Sequence, residues 1–291
     1  MDLHDPHRGP PPFHGRPARD GRRTRSARAN EGSAAGTAHG VSVRARLNAL
    51  AGDNPLLRVD GLIAGYGSME ILHGIDLRLG AGQSLCVIGP TGAGKSTILH
   101  SIFGLVDIRG GRIDIGGRNV TRLGPNAKLR DAGIAYVLQD NSVFPDMTVE
   151  QNLWLGGYLM GRRADARHAS ERVFDRYPSL AARRDEPARV LSRGERRLLE
   201  ISRALVMRPR LLLVDEPSIG LEPAFIEQIF AMLRDLRDRE RLALVMVEQN
   251  ARKGLELADI GCVVVAGEIA MVGTGSELLQ DPTVGRLFLG G

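Results

Sequence analysis

The chain has 291 residues, of which 43% are hydrophobic and 25% charged, a globular composition that excludes wholesale disorder, a fibre or a coiled coil. Its longest uninterrupted apolar run, residues 242–247, is far short of the roughly 18 residues that a transmembrane helix needs. The formal charge of +5 resides in residues 1–50, which hold nine Arg and four acidic residues; the other 30 basic and 30 acidic side chains balance, which argues against nucleic acid as a partner.

Residues 1–53, with Pro10, Pro11, Pro12 and Pro17 among scattered Gly and Arg, read as a disordered basic tail outside every motif, so that deleting residues 1–50 is expected to leave folding unchanged. The folded part is placed at 54–291. LLRVDGLIAGYG and ILHGIDLRL alternate as β-strands do, and GRIDIGGRNV reads as a hairpin turning at Gly116 and Gly117, which together predict an antiparallel region. Short apolar runs at 85–88, 134–137, 211–214 and 242–247 suit strands buried on both faces of a parallel sheet. Cys86 and Cys262 lie inside apolar runs and read as small buried hydrophobes of a protein from a reducing compartment. Residues 147–195 contain amphipathic helical stretches and no convincing strand, which predicts a helical insertion. After Pro223, residues Ile226, Ile229, Phe230, Leu233 and Leu236 recur at helical spacing, and CVVVAGEIAMVG closes the strand pattern with a hairpin at Gly267.

The chemistry begins at Gly89, Pro90, Thr91, Gly92, Ala93, Gly94, Lys95, Ser96 and Thr97, a phosphate loop of the form GxxxxGK[ST] set between a strand and a helix. A chance match in a chain of this composition is expected roughly 0.003 times. Such a loop wraps phosphate oxygens with backbone amides; Lys95 reaches the β- and γ-phosphates, and the Ser96 hydroxyl ligates Mg2+. LLLVDE supplies the second half: Asp215 as the Mg2+ partner and Glu216 to polarise an attacking water.

Between these motifs, LSRGERRLLEISRAL resembles the LSGGQ/E signature of the ATP-binding cassette (ABC) ATPases, and the resemblance covers about residues 56–291. It implies an α/β phosphate-loop NTPase fold with a mostly parallel core sheet, an antiparallel β subdomain and a helical subdomain. It also implies Tyr66 as an adenine-stacking aromatic, Gln139 as a glutamine that contacts nucleotide and Mg2+, and residues 219–222 as the loop after the catalytic strand. Ser192 and the amides around Gly194 would bind the γ-phosphate of ATP held by a sister ATPase in a head-to-tail dimer. LLLVDEPSIGLEP, VEQNARKGLELAD and GSELLQDPTVGRLFLG are similar to the ATPases of branched-chain amino acid importers, specifically those with glutamine, here Gln249, at the position of a switch histidine. Arg193 replaces the first signature glycine.

The expectation is therefore an importer subunit that binds and hydrolyses ATP with Mg2+, with Lys95, Glu216 and Gln249 as catalytic residues. Its partners would be a different sister ATPase, two transmembrane permease subunits and, indirectly, a solute-binding protein, on the cytoplasmic face of the inner membrane. Residues from Gln139 to Met147 are expected to line the groove for the permease. Related importers carry amides or urea, and the class alternatives are a non-transport ABC ATPase and, because of Arg193, a regulatory subunit with little turnover.

Overall fold

The computed structural model describes residues 42–139 and 142–288, with only the backbone of Arg163. Helix α1 (Val43–Ala51) leads into strands β1 (Leu57–Tyr66) and β2 (Met69–Leu79), then β3 (Ser84–Ile88), the phosphate loop and α2 (Lys95–Phe103). Strands β4 (Asp107–Ile115) and β5 (Arg118–Asn119) precede α3 (Pro125–Ala132) and β6 (Ile134–Val137). Four helices follow, α4 (Val149–Gly156), α5 (Arg163–Arg176), α6 (Pro178–Ala181) and α7 (Arg193–Leu205), after which β7 (Leu211–Asp215), α8 (Pro223–Glu240) and β8 (Ala243–Val247) return to the sheet. The chain closes with α9 (Ala251–Leu257), β9 (Ile260–Val265), β10 (Glu268–Gly273), α10 (Gly275–Gln280) and α11 (Pro282–Phe288).

Two sheets form. The antiparallel one has the order β2-β1-β4-β5; its β4–β5 turn uses Gly116 and Gly117, both at positive φ, as a tight hairpin with the right twist requires. The six-stranded sheet has the order β10-β9-β3-β8-β7-β6 and is parallel except for the terminal hairpin at Gly267. Strand β9 is a finding beyond that hairpin, because it also pairs in parallel with β3. Alternate residues of the buried strands feed two cores: Cys86 and Ile88 join the face covered by α7 and α8, whereas Leu85 and Val87 join the face holding α2 and the antiparallel sheet. Both cysteines are free and buried.

The predicted tail boundary at residue 53 is wrong. Ser42 caps α1 by accepting from the Ala45 amide, Gly52 ends it, and Leu47 and Ala51 are buried against the edge strands β2 and β10. Arg44 pairs with Asp76 and Arg46 with Glu277, but these exposed ion pairs add little; burial of Leu47 holds the helix. Val43, Leu47, Leu50 and Ala51 recur at helical spacing, a signal masked by the Arg-rich context. The predicted disorder of residues 1–41 lies outside the described residues. Deleting residues 1–50 would thus remove part of the core.

Two predictions follow from this packing. Leu47→Ala should cost about 2–4 kcal/mol in urea unfolding, the range for a truncated buried leucine. Lys128 is fully buried beneath the end of α2, where its ammonium donates to the Ser101 carbonyl at 3.2 Å, and burial lowers its pKa from 10.5 to about 8. Between those values the unfolded chain holds a proton that the folded chain has released, so stability should rise with pH. Measured as the difference from Lys128→Met, which cancels the other titrating groups, the gain from pH 8 to 10.5 should approach about 3 kcal/mol.

Candidate nucleotide site

Parallel register brings the predicted motifs to one edge. Val87 pairs with Val247 and Asp215 also pairs with Val247, while Val137 pairs with Val214, so the carboxyl ends of β3, β8, β7 and β6 stand side by side. The ladder continues one step further through Glu248 N to Val87 O at 3.3 Å and Glu216 N to Val247 O at 2.9 Å. Ligands of open α/β sheets bind outside such carboxyl ends.

The phosphate loop leaves β3 at Gly89, where a Cβ would stand 2.1 Å from the Val264 carbonyl of β9; only glycine permits that approach. The loop is pinned by Ala93 N to Pro90 O at 3.2 Å and Gly267 N to Ala93 O at 3.0 Å, with Thr91 and Gly92 exposed. Lys95 folds back over it and donates to the Gly89 and Pro90 carbonyls, each at 3.0 Å. Ser96 and Thr97 lie in the first turn of α2, whose amino end faces the loop. The Ser96 hydroxyl donates to Asp215 Oδ1 at 3.2 Å, so an alcohol and a buried carboxylate, both hard oxygen donors, meet beside the loop. That donor pair fits Mg2+, which takes one or two protein oxygens and completes its shell with phosphate and water. Among the described residues no cluster of three or more His, Cys, Asp or Glu forms a self-contained metal site.

Around this pair the structure adds groups that sequence reasoning missed. The Tyr136 hydroxyl donates to Asp215 Oδ2 at 2.9 Å; burial and the neighbouring carboxylate push its phenol far above the ordinary range, so it remains a donor. Its ring packs edge-on against His100, whose Nδ1 shares a 2.5 Å hydrogen bond with the Tyr66 hydroxyl. Burial keeps His100 below its usual pKa. Tyr66 itself is half exposed on β1, available for stacking. Arg197 of α7 donates to the Leu138 carbonyl at 2.6 Å, the Asp215 carbonyl at 2.7 Å and Glu200 at 2.9 Å, bolting α7 to the ends of β6 and β7.

Glu216 follows β7 with φ 44°, a strained backbone for a residue with a side chain, and its carboxylate accepts from Gln139 Nε2 at 2.9 Å. Gln139 thus sits on Glu216 rather than on the Ser96–Asp215 pair. Gln249 is exposed just past β8, while its neighbours turn to other tasks: Asn250 caps α9, and Glu248 is buried. Burial raises the Glu248 pKa, against hydrogen bonds from Ser218 and the following amides that lower it.

Ser192 is the N-cap of α7 and forms a reciprocal capping box with Glu195. Gly194 is buried there, packed so closely on the Phe225 ring of α8 that a Cβ would lie 2.0 Å from it. The exposed Arg193 extends to the Gly220 carbonyl, 3.4 Å away, in the loop after β7. Arg193, Gly220 and Gln139 line one cleft of about 700 Å³, so the signature, the loop after β7 and Gln139 border a common space.

A phosphate loop on β3, an acidic strand end on β7 and a capped helix α7 bolted to that end define a phosphate-loop NTPase of the cassette type. The ABC transporter family pattern matches residues 72–219. The "Probable branched-chain amino acid transport ATP-binding protein LivF" of Archaeoglobus fulgidus is 37% identical over 235 residues, covering 81% of this chain and 99% of that protein. The high-affinity branched-chain amino acid transport ATP-binding protein BraG of Pseudomonas aeruginosa is 38% identical over 236 residues, covering 81% and 100%. Among solved structures, the ADP conformation of MJ1267, an ATP-binding cassette of an ABC transporter, aligns with a TM-score of 0.72 at 26% identity, covering 81% of this chain and 99% of that one. The chain belongs to the ABC transporter ATP-binding family. It is an ATP-binding subunit whose hydrolysis of ATP is coupled to transport.

Proposed function

We propose that this chain energises an importer of branched-chain amino acids or closely related small solutes. The observation that carries the catalytic half of this reading is the meeting of Lys95, Ser96, Asp215 and Glu216 at one sheet edge. ATP is the substrate. Lys95 would exchange its loop carbonyls for phosphate oxygens, Tyr66 would stack on the adenine, and the loop amides from Gly89 to Thr97 would cradle the β-phosphate. Ser96 and Asp215 would hold Mg2+, which when bound supplies charge neutralisation to the β- and γ-phosphates, and Gln139, placed on Glu216, would join them only by leaving that carboxylate. Glu216, held by Gln139, orients the attacking water and accepts its proton, while Gln249 donates an amide hydrogen bond toward the γ-phosphate and, unlike histidine, carries no titrating charge.

The transport half rests on the relatives and on two surfaces. Ser192 and Gly194 at the start of α7 would complete the ATP site of a sister ATPase, a different chain in a heterodimer. A groove of about 300 Å³ between α2 with β6 and α4 with α7 exposes the aromatic rings of Phe144 and Tyr158 and is apolar enough to seat a permease segment. Two permease subunits would then hold the chain on the cytoplasmic face of the inner membrane, with a solute-binding protein feeding them from the other side. No helix among the described residues is long and apolar enough to cross a membrane itself. The folded domain is taken to begin at residue 43, and its described part runs to residue 288.

Glu216→Gln should keep ATP affinity and lower turnover by roughly 10²- to 10⁴-fold, the usual contribution of a positioned base. The measurement is nucleotide binding and steady-state hydrolysis in the transporter complex with the sister ATPase inactive; wild-type turnover would refute the assignment. Uptake of radiolabelled leucine by cells carrying the same variant should fall in parallel. Retained leucine uptake with lost hydrolysis would refute the transport reading.

A further inference from the structure

Glu248 is 1% exposed at the end of β8, yet it is a carboxylate in a place where a strand end needs only an apolar residue to pack. A buried carboxylate is costly unless its oxygens are bonded. Here they are bonded to two different segments. Oε1 accepts from the Ser218 hydroxyl at 2.6 Å and from the Asn250 amide at 3.0 Å, and Oε2 accepts from the Ser218 amide at 3.3 Å. Ser218 lies two residues after Glu216, and Asn250 is the residue after Gln249. Helix α9 closes over this carboxylate at Gly254, where a Cβ would stand 3.0 Å from the Glu248 Cβ.

We infer that Glu248 is a positioning residue: its carboxylate, clamped on Ser218 and on the amide after Gln249, fixes the spacing between the strained turn that carries Glu216 and the segment that presents Gln249 to the nucleotide. This rests on the reading of Glu216 and Gln249 given above. The carboxylate is turned to Ser218 and the Asn250 amide. It acts by holding two groups, from loops about 30 residues apart in sequence, at one separation.

The test is steady-state ATP hydrolysis by the full-length chain in its transporter complex, with the sister ATPase inactive, for Glu248→Gln, Ser218→Ala, the double variant and Gln249→Ala. Misplacement of catalytic groups by a fraction of an ångström should lower kcat roughly tenfold in each single brace variant and leave the KM for ATP within about twofold. The double variant should fall no further than the worse single one, because both remove the same clamp. Should Glu248→Gln lower Tm markedly, Ser218→Ala, which removes only the hydroxyl donor and keeps the carboxylate with its two backbone amide donors, decides by its kcat and KM alone. Silent brace variants beside an impaired Gln249→Ala, or brace effects that multiply in the double variant, would overturn the positioning role alone. A silent Gln249→Ala would overturn the reading of the site and this inference with it.

Discussion

The in-register carboxyl ends of β3, β8, β7 and β6 are the constraint on which the rest of the molecule depends. Pairing Val87 with Val247, Asp215 with Val247 and Val137 with Val214 decides that the residues after each strand emerge together. A shift of one residue in any strand would turn its chain onto the opposite core, because Cys86 and Ile88 serve one core and Leu85 and Val87 the other. The two buried cores therefore hold the geometry of the site: slipping the register to misplace Asp215 would also place each apolar side chain of the strand in the wrong core, against neighbours it does not fit.

Beyond that edge, polar side chains extend the order of the strands into the loops. Arg197 bonds the carbonyls at the ends of β6 and β7 and thereby sets where α7 begins, which in turn sets Ser192 and Gly194. Such a buried guanidinium is tolerable because Glu200 neutralises it within the same helix. Tyr136 holds Asp215 on the side away from Ser96, and Gln139 holds Glu216. Arg193, reaching the Gly220 carbonyl, joins the signature to the loop after β7 within one subunit, a link that glycine at that position would lack.

What could be read in the sequence was local. The phosphate loop, the apolar strand before Asp215 and the Gly116–Gly117 and Gly267 hairpins each declare themselves within about ten residues, through spacing and through the positive φ that only certain residues accept readily. Helix α1 escaped because nine residues bearing two arginines carry little apolar signal, and its stability comes from strands that follow it in the chain. Tyr136, Arg197 and the Glu248–Ser218 clamp escaped for a related reason. Their partners lie 79, 18 and 30 residues away, and nothing in a tyrosine beside a valine or a glutamate after an apolar run announces such a bond. The resemblance to branched-chain amino acid importer ATPases supplied the order of the motifs; the register of the strands explains why that order makes a site.

Whether the segments after β3, β7 and β8 together bind one nucleotide can be measured directly. The measurement is hydrogen–deuterium exchange of the full-length chain, with and without a non-hydrolysable ATP analogue and Mg2+. One shared site should slow amide exchange together at residues 89–97, 216–220 and 248–251. Slowing confined to residues 89–97, with the other two segments unchanged at saturating nucleotide, would contradict it.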